Sequence, residues 1–191
     1  MSLVPAFEIG VWNAWILIVL FLIANNGLTV LLVDRKSAWF AWPSYTELEK
    51  RILAIGQVIL FSSGVYSIFL PLKLGTAWFY AGFPIYLLGL AFITMAVLTF
   101  TATPVDKPNT TGIYRISRHP INFGWLLILL GVGIASASWV YLLVALTFLG
   151  MYIAPLAIPE ERMCCERFGD AYRDYMNRTP RWIGMPKSGA K

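Results

Sequence analysis

Charge is scarce in this sequence: 13% of its 191 residues are Asp, Glu, Lys or Arg, against a hydrophobic share of 58%. An ordinary soluble domain carries about a quarter charged residues, so that class is excluded and an integral membrane protein is indicated. Histidine is scarcer still, His119 being the only one, and cysteine is confined to the adjacent pair Cys164 and Cys165. Neighbouring cysteines suit neither an ordinary disulfide, because their Cβ atoms point apart, nor a metal site, which needs more ligands at other spacings. Both read as reduced and structural, and no metal is expected. No Lys or Arg precedes Arg35, so the apolar N-terminus lacks the basic region of a cleaved signal peptide and is expected to stay in the mature protein. A Walker motif, a zinc-ligand cluster and a strand-turn-helix Gly-x-Gly-x-x-Gly are missing too, which removes soluble-type nucleotide-binding folds; no nucleic-acid partner is expected. Gly131 and Gly133 lie inside an apolar run, where close helix packing explains them better than a phosphate loop. With no linker or internal repeat, residues 1–191 read as a single membrane domain.

What the chain has in abundance is long apolar runs: Ile9 to Val33, Ile52 to Leu70, Ala77 to Phe100, and Phe123 to Ile158. The first three have the length needed to cross ~30 Å of hydrocarbon as helix. The fourth is too long for one crossing, and its middle reads Ala135-Ser136-Ala137-Ser138, a turn flanked by Trp139 and Tyr141 as interface anchors. The expected fold is therefore all-α with five transmembrane helices, at 9–33, 52–70, 77–100, 121–135 and 139–158, followed by a C-terminal cytoplasmic helix at 159–176. With the N-terminus outside, every basic residue except Lys73 falls on the cytoplasmic side, from Arg35, Lys36, Lys50 and Arg51 to the tail ending in Lys187 and Lys191. A four-span chain would separate the tail from the loop of Lys107, Arg115 and Arg118, against the positive-inside rule. The loop and the tail thus share a face, where one site can be assembled from both.

Polar residues inside the runs have two uses. Asn25, Asn26, Gln57 and the Ser62-Ser63-Gly64 stretch either line a polar pocket or hydrogen-bond between helices, the commoner role in membranes. Outside the runs, two polar segments stand out. The first, "TATPVDKPNTTGIYRISRHPIN", is a structured loop: Pro104 and Pro108 stop the preceding helix, and Asn109 to Gly112 offer turn conformations. It ends in Arg118-His119-Pro120, with Pro120 suited to the first turn of a new helix. His119 is either an interfacial side chain or a functional one. The second segment opens with Pro159, Glu160 and Glu161, which read as a helix start. Cys164, Phe168, Ala171, Tyr172 and Tyr175 then form one apolar face, with Arg167, Arg173 and Asp174 on the solvated side.

Taken together, the segments resemble the integral-membrane methyltransferases that include isoprenylcysteine carboxyl methyltransferase and the phospholipid N-methyltransferases. The first block is Gly112-x-Tyr114, Arg118-His119-Pro120 and Asn122-x-Gly124; the second is Glu160-Glu161, Phe168-Gly169, Tyr172 and Tyr175, ending in Pro180-Arg181. Asn122 stands where the family usually has tyrosine, and Cys164 where it has leucine. No arginine immediately precedes Glu160, where the eukaryotic prenylcysteine enzymes carry a substrate-binding one. The resemblance implies an enzyme using S-adenosylmethionine, with S-adenosylhomocysteine as product. Tyr114, Arg118, His119, Pro120 and Asn122 would line the cofactor pocket, the Asp106-Lys107-Pro108-Asn109 loop would close over it, and Glu160 would bind the cofactor with Glu161 beside it. His119 or a loop arginine would pair with the cofactor's carboxylate. The expected reaction is carboxyl methylation of a lipophilic, isoprenylcysteine-like substrate entering from the bilayer, in contact with membrane lipids. Phospholipid or other amine N-methylation is the alternative, ahead of an NADPH-dependent membrane reductase or a non-enzymatic scaffold. A carboxylate is already a nucleophile at neutral pH; an amine needs a base, which His119 or a glutamate would supply.

Overall fold

The computed structural model describes residues 9–32 and 43–185. Arg35, Lys36, Lys187 and Lys191, which enter the charge argument, lie outside the described residues, as does the side chain of Asn26. Among the described residues all regular structure is helical: α1 (Trp15–Leu32), α2 (Glu47–Ser67), α3 (Ala77–Ala102), a 3-10 turn (Gly112–Arg115), α4 (Pro120–Ala135), α5 (Trp139–Phe148), a π turn (Leu149–Ile153), α6 (Ala154–Phe168) and α7 (Asp170–Arg178). Two continuous helices are long and apolar enough to cross a membrane, Ala77–Ala102 and Trp139–Phe168. Trp15–Asn25 and Pro120–Ala135 are shorter apolar helices.

The second run starts and ends earlier than its hydropathy indicates. Thr46 caps α2 with a capping box: its hydroxyl accepts from the Glu49 N–H, while the Glu49 carboxylate accepts from the Thr46 N–H at 2.7 Å. Both orphan donors are satisfied, so the helix nucleates at Glu47 despite its charged first turn. It stops at Ser67 because the following residues pair with the segment before α1: Ala14 N–H donates to the Leu70 carbonyl and Leu72 N–H to the Trp12 carbonyl.

The fourth run divides where the small residues stand. Helix α4 ends at Ala135, Ala137 takes a left-handed conformation (φ 51°), and the Ser138 hydroxyl caps α5 by accepting from the Tyr141 N–H. Tyr141 is not an interface anchor, however. It is fully buried and stacks against Tyr66 inside the bundle. The helix start expected at Pro159 is also absent: α5, the π turn and α6 form one rod through Pro155 and Pro159. Pro155 has no N–H to give to its preceding turn, and just before it the wider π turn closes with the Ala154 N–H on the Leu149 carbonyl. The cytoplasmic helix expected at 159–176 is broken instead at Gly169, whose positive φ of 56° starts α7 on a new axis.

Helices α3 and α4 form the most extensive contact in the molecule. Gly82, Gly89, Gly124 and Gly131 line their seam. A Cβ on Gly131 would strike the Tyr86 backbone, and one on Gly89 the carbonyl of Gly124. Side chains this small let backbones approach, the usual means of joining helices where lipid offers no hydrophobic drive. Gly133 faces α5 at Leu142 in the same way. Ser63 and Ser67 bond to carbonyls of their own helix, whereas Gln57 reaches across to Tyr152. That contact is the interhelical one expected of a polar group in an apolar run.

Candidate functional site

One end of the bundle gathers the C-terminus of α3, the loop after it, the N-terminus of α4, and helices α6 and α7. Between them lies a pocket of about 350 Å³, within the usual size of small-ligand sites. Lys107, Pro108, Asn109, Tyr114, Arg118, His119, Pro120, Asn122 and Glu160 all line it, so two segments some forty residues apart in sequence meet there. Asp106 does not: it is exposed on the outer side of its loop. Glu161 does not reach the wall either, but lies buried behind it.

His119 is the hub. Pro120 occupies the first turn of α4, leaving His119 in a non-helical conformation just before it, with its N–H on the Ser117 hydroxyl at 3.1 Å. Its Nδ1 lies 3.0 Å from Glu160 Oε2, and its Nε2 lies 3.2 Å from Glu161 Oε1. Two carboxylates facing the two ring nitrogens favour the form that donates from both, the imidazolium. Burial opposes that charge, but the hydrogen bonds and charges of Glu160 and Glu161 outweigh it and raise the His119 pKa. Glu161 in turn receives Arg181 through both carboxylate oxygens, at 3.0 and 2.7 Å, and Arg118 at 3.3 Å. Burial would raise its pKa; His119, Arg181 and Arg118 overcome this and bring it down to about 2.

The tail closes this cluster. Arg118 N–H donates to the Pro180 carbonyl, the Ser117 hydroxyl to the Arg181 carbonyl, and Gly184 N–H to the Ile116 carbonyl. Trp182 packs on the His119 ring with centroids 5.9 Å apart. Below it, the Tyr175 hydroxyl donates to the Tyr114 carbonyl at 2.6 Å. Burial first, then neighbouring groups, holds the Tyr114, Tyr172 and Tyr175 phenols well above their ordinary range. Burial likewise lifts Cys164 to about 11, so this pocket thiol stays protonated. Both cysteines are free.

Several wall residues had no clear signal in sequence. Pro43 and Tyr45, before α2, reach the pocket because Arg162 of α6 donates to the Ser44 carbonyl at 2.8 Å and pairs with Glu49 at 3.2 Å. Burial, then the charges of Glu160, Tyr152 and Glu49, pushes Tyr45 up to about 12. Arg167 is not on a purely solvated face: it lines the pocket and donates to the Val105 carbonyl at 3.0 Å. Ala171 is exposed, because the break at Gly169 rotates α7 away from the phase of α6, while Tyr172 and Tyr175 bury as expected.

Among the described residues the regular structure is helical, two helices are long and apolar enough to cross a membrane, and an ion-paired pocket lies at one end of the bundle, features consistent with a membrane-associated protein that holds a ligand. Residues 92–171 match the family model described as phospholipid methyltransferase. This segment carries the loop, the hairpin and the double glutamate, and over it the chain is similar to that family. The search of curated proteins gave no match.

Proposed function

We propose that this protein transfers a methyl group from S-adenosylmethionine to the polar end of a lipophilic acceptor at the cytoplasmic face of a membrane it crosses five times. The observation that carries the reading is the clasp of His119 between Glu160 and Glu161 in a half-buried pocket, within the segment matched to the methyltransferase family. The five spans would be α1, α2, α3, α4 and the α5 rod, with the N-terminus outside and the tail inside. The placement of basic residues supports that orientation, and the length of the α5 rod would carry Glu160 just beyond the hydrocarbon.

The pocket's chemistry fits this cofactor. Asn109 Oδ1 and Arg118 Nε are buried without partners among the described residues, which leaves one acceptor and one donor to be satisfied by a ligand. Glu160, with its side chain 40% exposed, offers a carboxylate to an amino or ribose group. Tyr114, Tyr45 and Phe168 provide aromatic faces for a sulfonium or a purine. The cofactor supplies an electrophilic methyl on sulfur. The chain's own task is alignment and exclusion of water, which provide most of the acceleration of an in-line displacement.

Both ring nitrogens of His119 are taken up by Glu160 and Glu161, which leaves it poorly placed to act as a base. Carboxyl methylation of an isoprenylcysteine-like acceptor needs no base and is the first reading. Amine methylation of a phospholipid is the second, favoured by the matched family's description and by the half-open Glu160 carboxylate, which attracts a cation and can accept its proton. The test is purified protein with methyl-labelled S-adenosylmethionine and two acceptors, a farnesylated cysteine analogue and phosphatidylethanolamine. Volatile labelled methanol released by base marks a carboxyl ester. Base-stable label in lipid marks N-methylation, and transfer to neither overturns the lipid-methylation reading.

A further inference from the structure

A second cavity, of about 1030 Å³, lies among α1, α2, α4 and the α5 rod. No charged side chain lines it, and its walls are mostly large apolar groups such as Trp15, Phe21, Phe61, Trp125 and Phe148. It follows α2 from Gln57 to Ile68, about 16 Å of helix. Its polar groups are not evenly spread. Ser63 and Ser67 spend their hydroxyls on carbonyls of their own helix. Gln57, Tyr152 and Asn122 remain, and among the described residues Asn122 alone lines both this cavity and the pocket of His119.

Four features hold Tyr152 in the wall of this cavity. It sits in the π turn Leu149–Ile153, whose wider register re-aims side chains and which in other proteins marks functional positions. Its ring lies where a Cβ on Gly56 would be, so α2 leaves it room only because that residue is glycine. Its hydroxyl accepts from Gln57 Nε2 at 3.2 Å, which leaves the phenolic O–H to donate elsewhere. The ring stacks on Phe148 with centroids 4.6 Å apart, so a donor group is held in the wall of an apolar chamber.

Resting on the methyltransferase reading above, we propose that Tyr152, Gln57 and Asn122 form a polar collar that positions the acceptor. The collar binds an uncharged carbonyl oxygen, of an ester or amide, at the base of a lipid's hydrocarbon chain. The chain occupies the apolar cavity, and the reacting end passes Asn122 into the pocket of His119 and Glu160. Tyr152 is a positioning residue, acting on the lipid rather than on the methyl group.

The test uses the full chain in nanodiscs with two photoreactive lipids that differ only in an ester or an ether at the base of the chain. The expected result is preferential crosslinking of the ester lipid to peptides containing Gln57 and Tyr152, by about three- to tenfold, the worth of one neutral hydrogen bond. Tyr152→Phe keeps the ring against Gly56 and removes the hydroxyl, both as the donor and as the acceptor of Gln57 Nε2. It should erase that preference while S-adenosylhomocysteine binding and the melting temperature stay unchanged, and in turnover it should raise acceptor KM with little change in kcat. Gln57→Leu provides a second variant with the same expected loss. Equal labelling by both lipids in the unaltered protein, or a preference that survives Tyr152→Phe, overturns the collar. Failure of the unaltered protein to bind S-adenosylhomocysteine would instead strike the methyltransferase reading, and the crosslinking result would stand apart from it.

Discussion

His119 touches two carboxylates and each carboxylate does something different. Glu160 faces the pocket, while Glu161 ties the loop to Arg118 and Arg181 from behind. On the proposed function, His119→Ala or Glu160→Ala weakens S-adenosylhomocysteine binding by about tenfold to a hundredfold, the worth of a charged hydrogen bond. Calorimetry checks this, and circular dichroism should show an intact helical fold in both. Glu161→Ala acts on stability instead: it strands two arginines and an imidazolium, a loss of about 3–5 kcal/mol for a broken buried ion pair, visible as a lowered melting temperature. The same cluster sets a pH window. The raised His119 pKa means that its contribution is complete below its ordinary 6.5 and is lost as pH rises through the folded value. Glu161, lowered to about 2, contributes fully above its ordinary 4.5 and loses that contribution as pH falls. Melting temperature against pH should therefore be highest between about 4.5 and 6.5, with His119→Gln flattening the alkaline limb and also shrinking the acid one, because His119 helps to lower Glu161. The hub itself was legible in sequence, because a lone histidine before a proline and a double glutamate are local signals. Arg162 was not: its partners Ser44 and Glu49 lie more than a hundred residues upstream, and nothing in the spacing marks them.

At the scale of helices, hydropathy located the apolar segments but misjudged several ends, each for a local reason. Thr46 and Glu49 extend α2 into charged sequence, a π turn lets α5 run on through two prolines, and Gly169 bends what periodicity reads as one helix. The turn at Ser136 to Ser138 was readable because small polar residues interrupted an otherwise continuous apolar run. The α3–α4 seam offers a sharp test. Gly131→Leu would force its side chain into the Tyr86 backbone, which cannot yield as a flexible side chain can. The expected outcome is loss of the folded, detergent-stable species in size-exclusion chromatography, whereas Gly64→Leu, with open space at its Cβ position, is expected to elute normally.

For the molecule as a whole, the proposed topology places the α4–α5 turn outside and the His119 pocket inside. Single cysteines at the exposed positions Trp139, beside that turn, and Arg178, in a background with Cys164 and Cys165 replaced by serine, test this directly. In intact cells a membrane-impermeant thiol reagent should reach the first and miss the second; the reverse pattern would invert the orientation, and labelling of both would break the five-span arrangement. Composition pointed to a membrane because so little charge leaves few other options, and the two long apolar helices agree with it. That Asn122 lines both cavities was not legible, because it depends on how α1, α2 and α4 pack rather than on any local pattern.

The strap from Pro180 to Gly184, stitched to Ile116 through Arg118, is also the last part of the described site to be synthesised. A nascent chain can thread its hydrophobic helices into a bilayer before these residues have left the ribosome, but the floor beneath His119 and Glu161 is incomplete until they arrive. On the proposed topology, insertion and maturation of the pocket would therefore be separate events. A chain cut after α7 would take its place in the membrane yet lack Arg181 and Trp182, leaving Glu161 to be held by Arg118 and His119 alone.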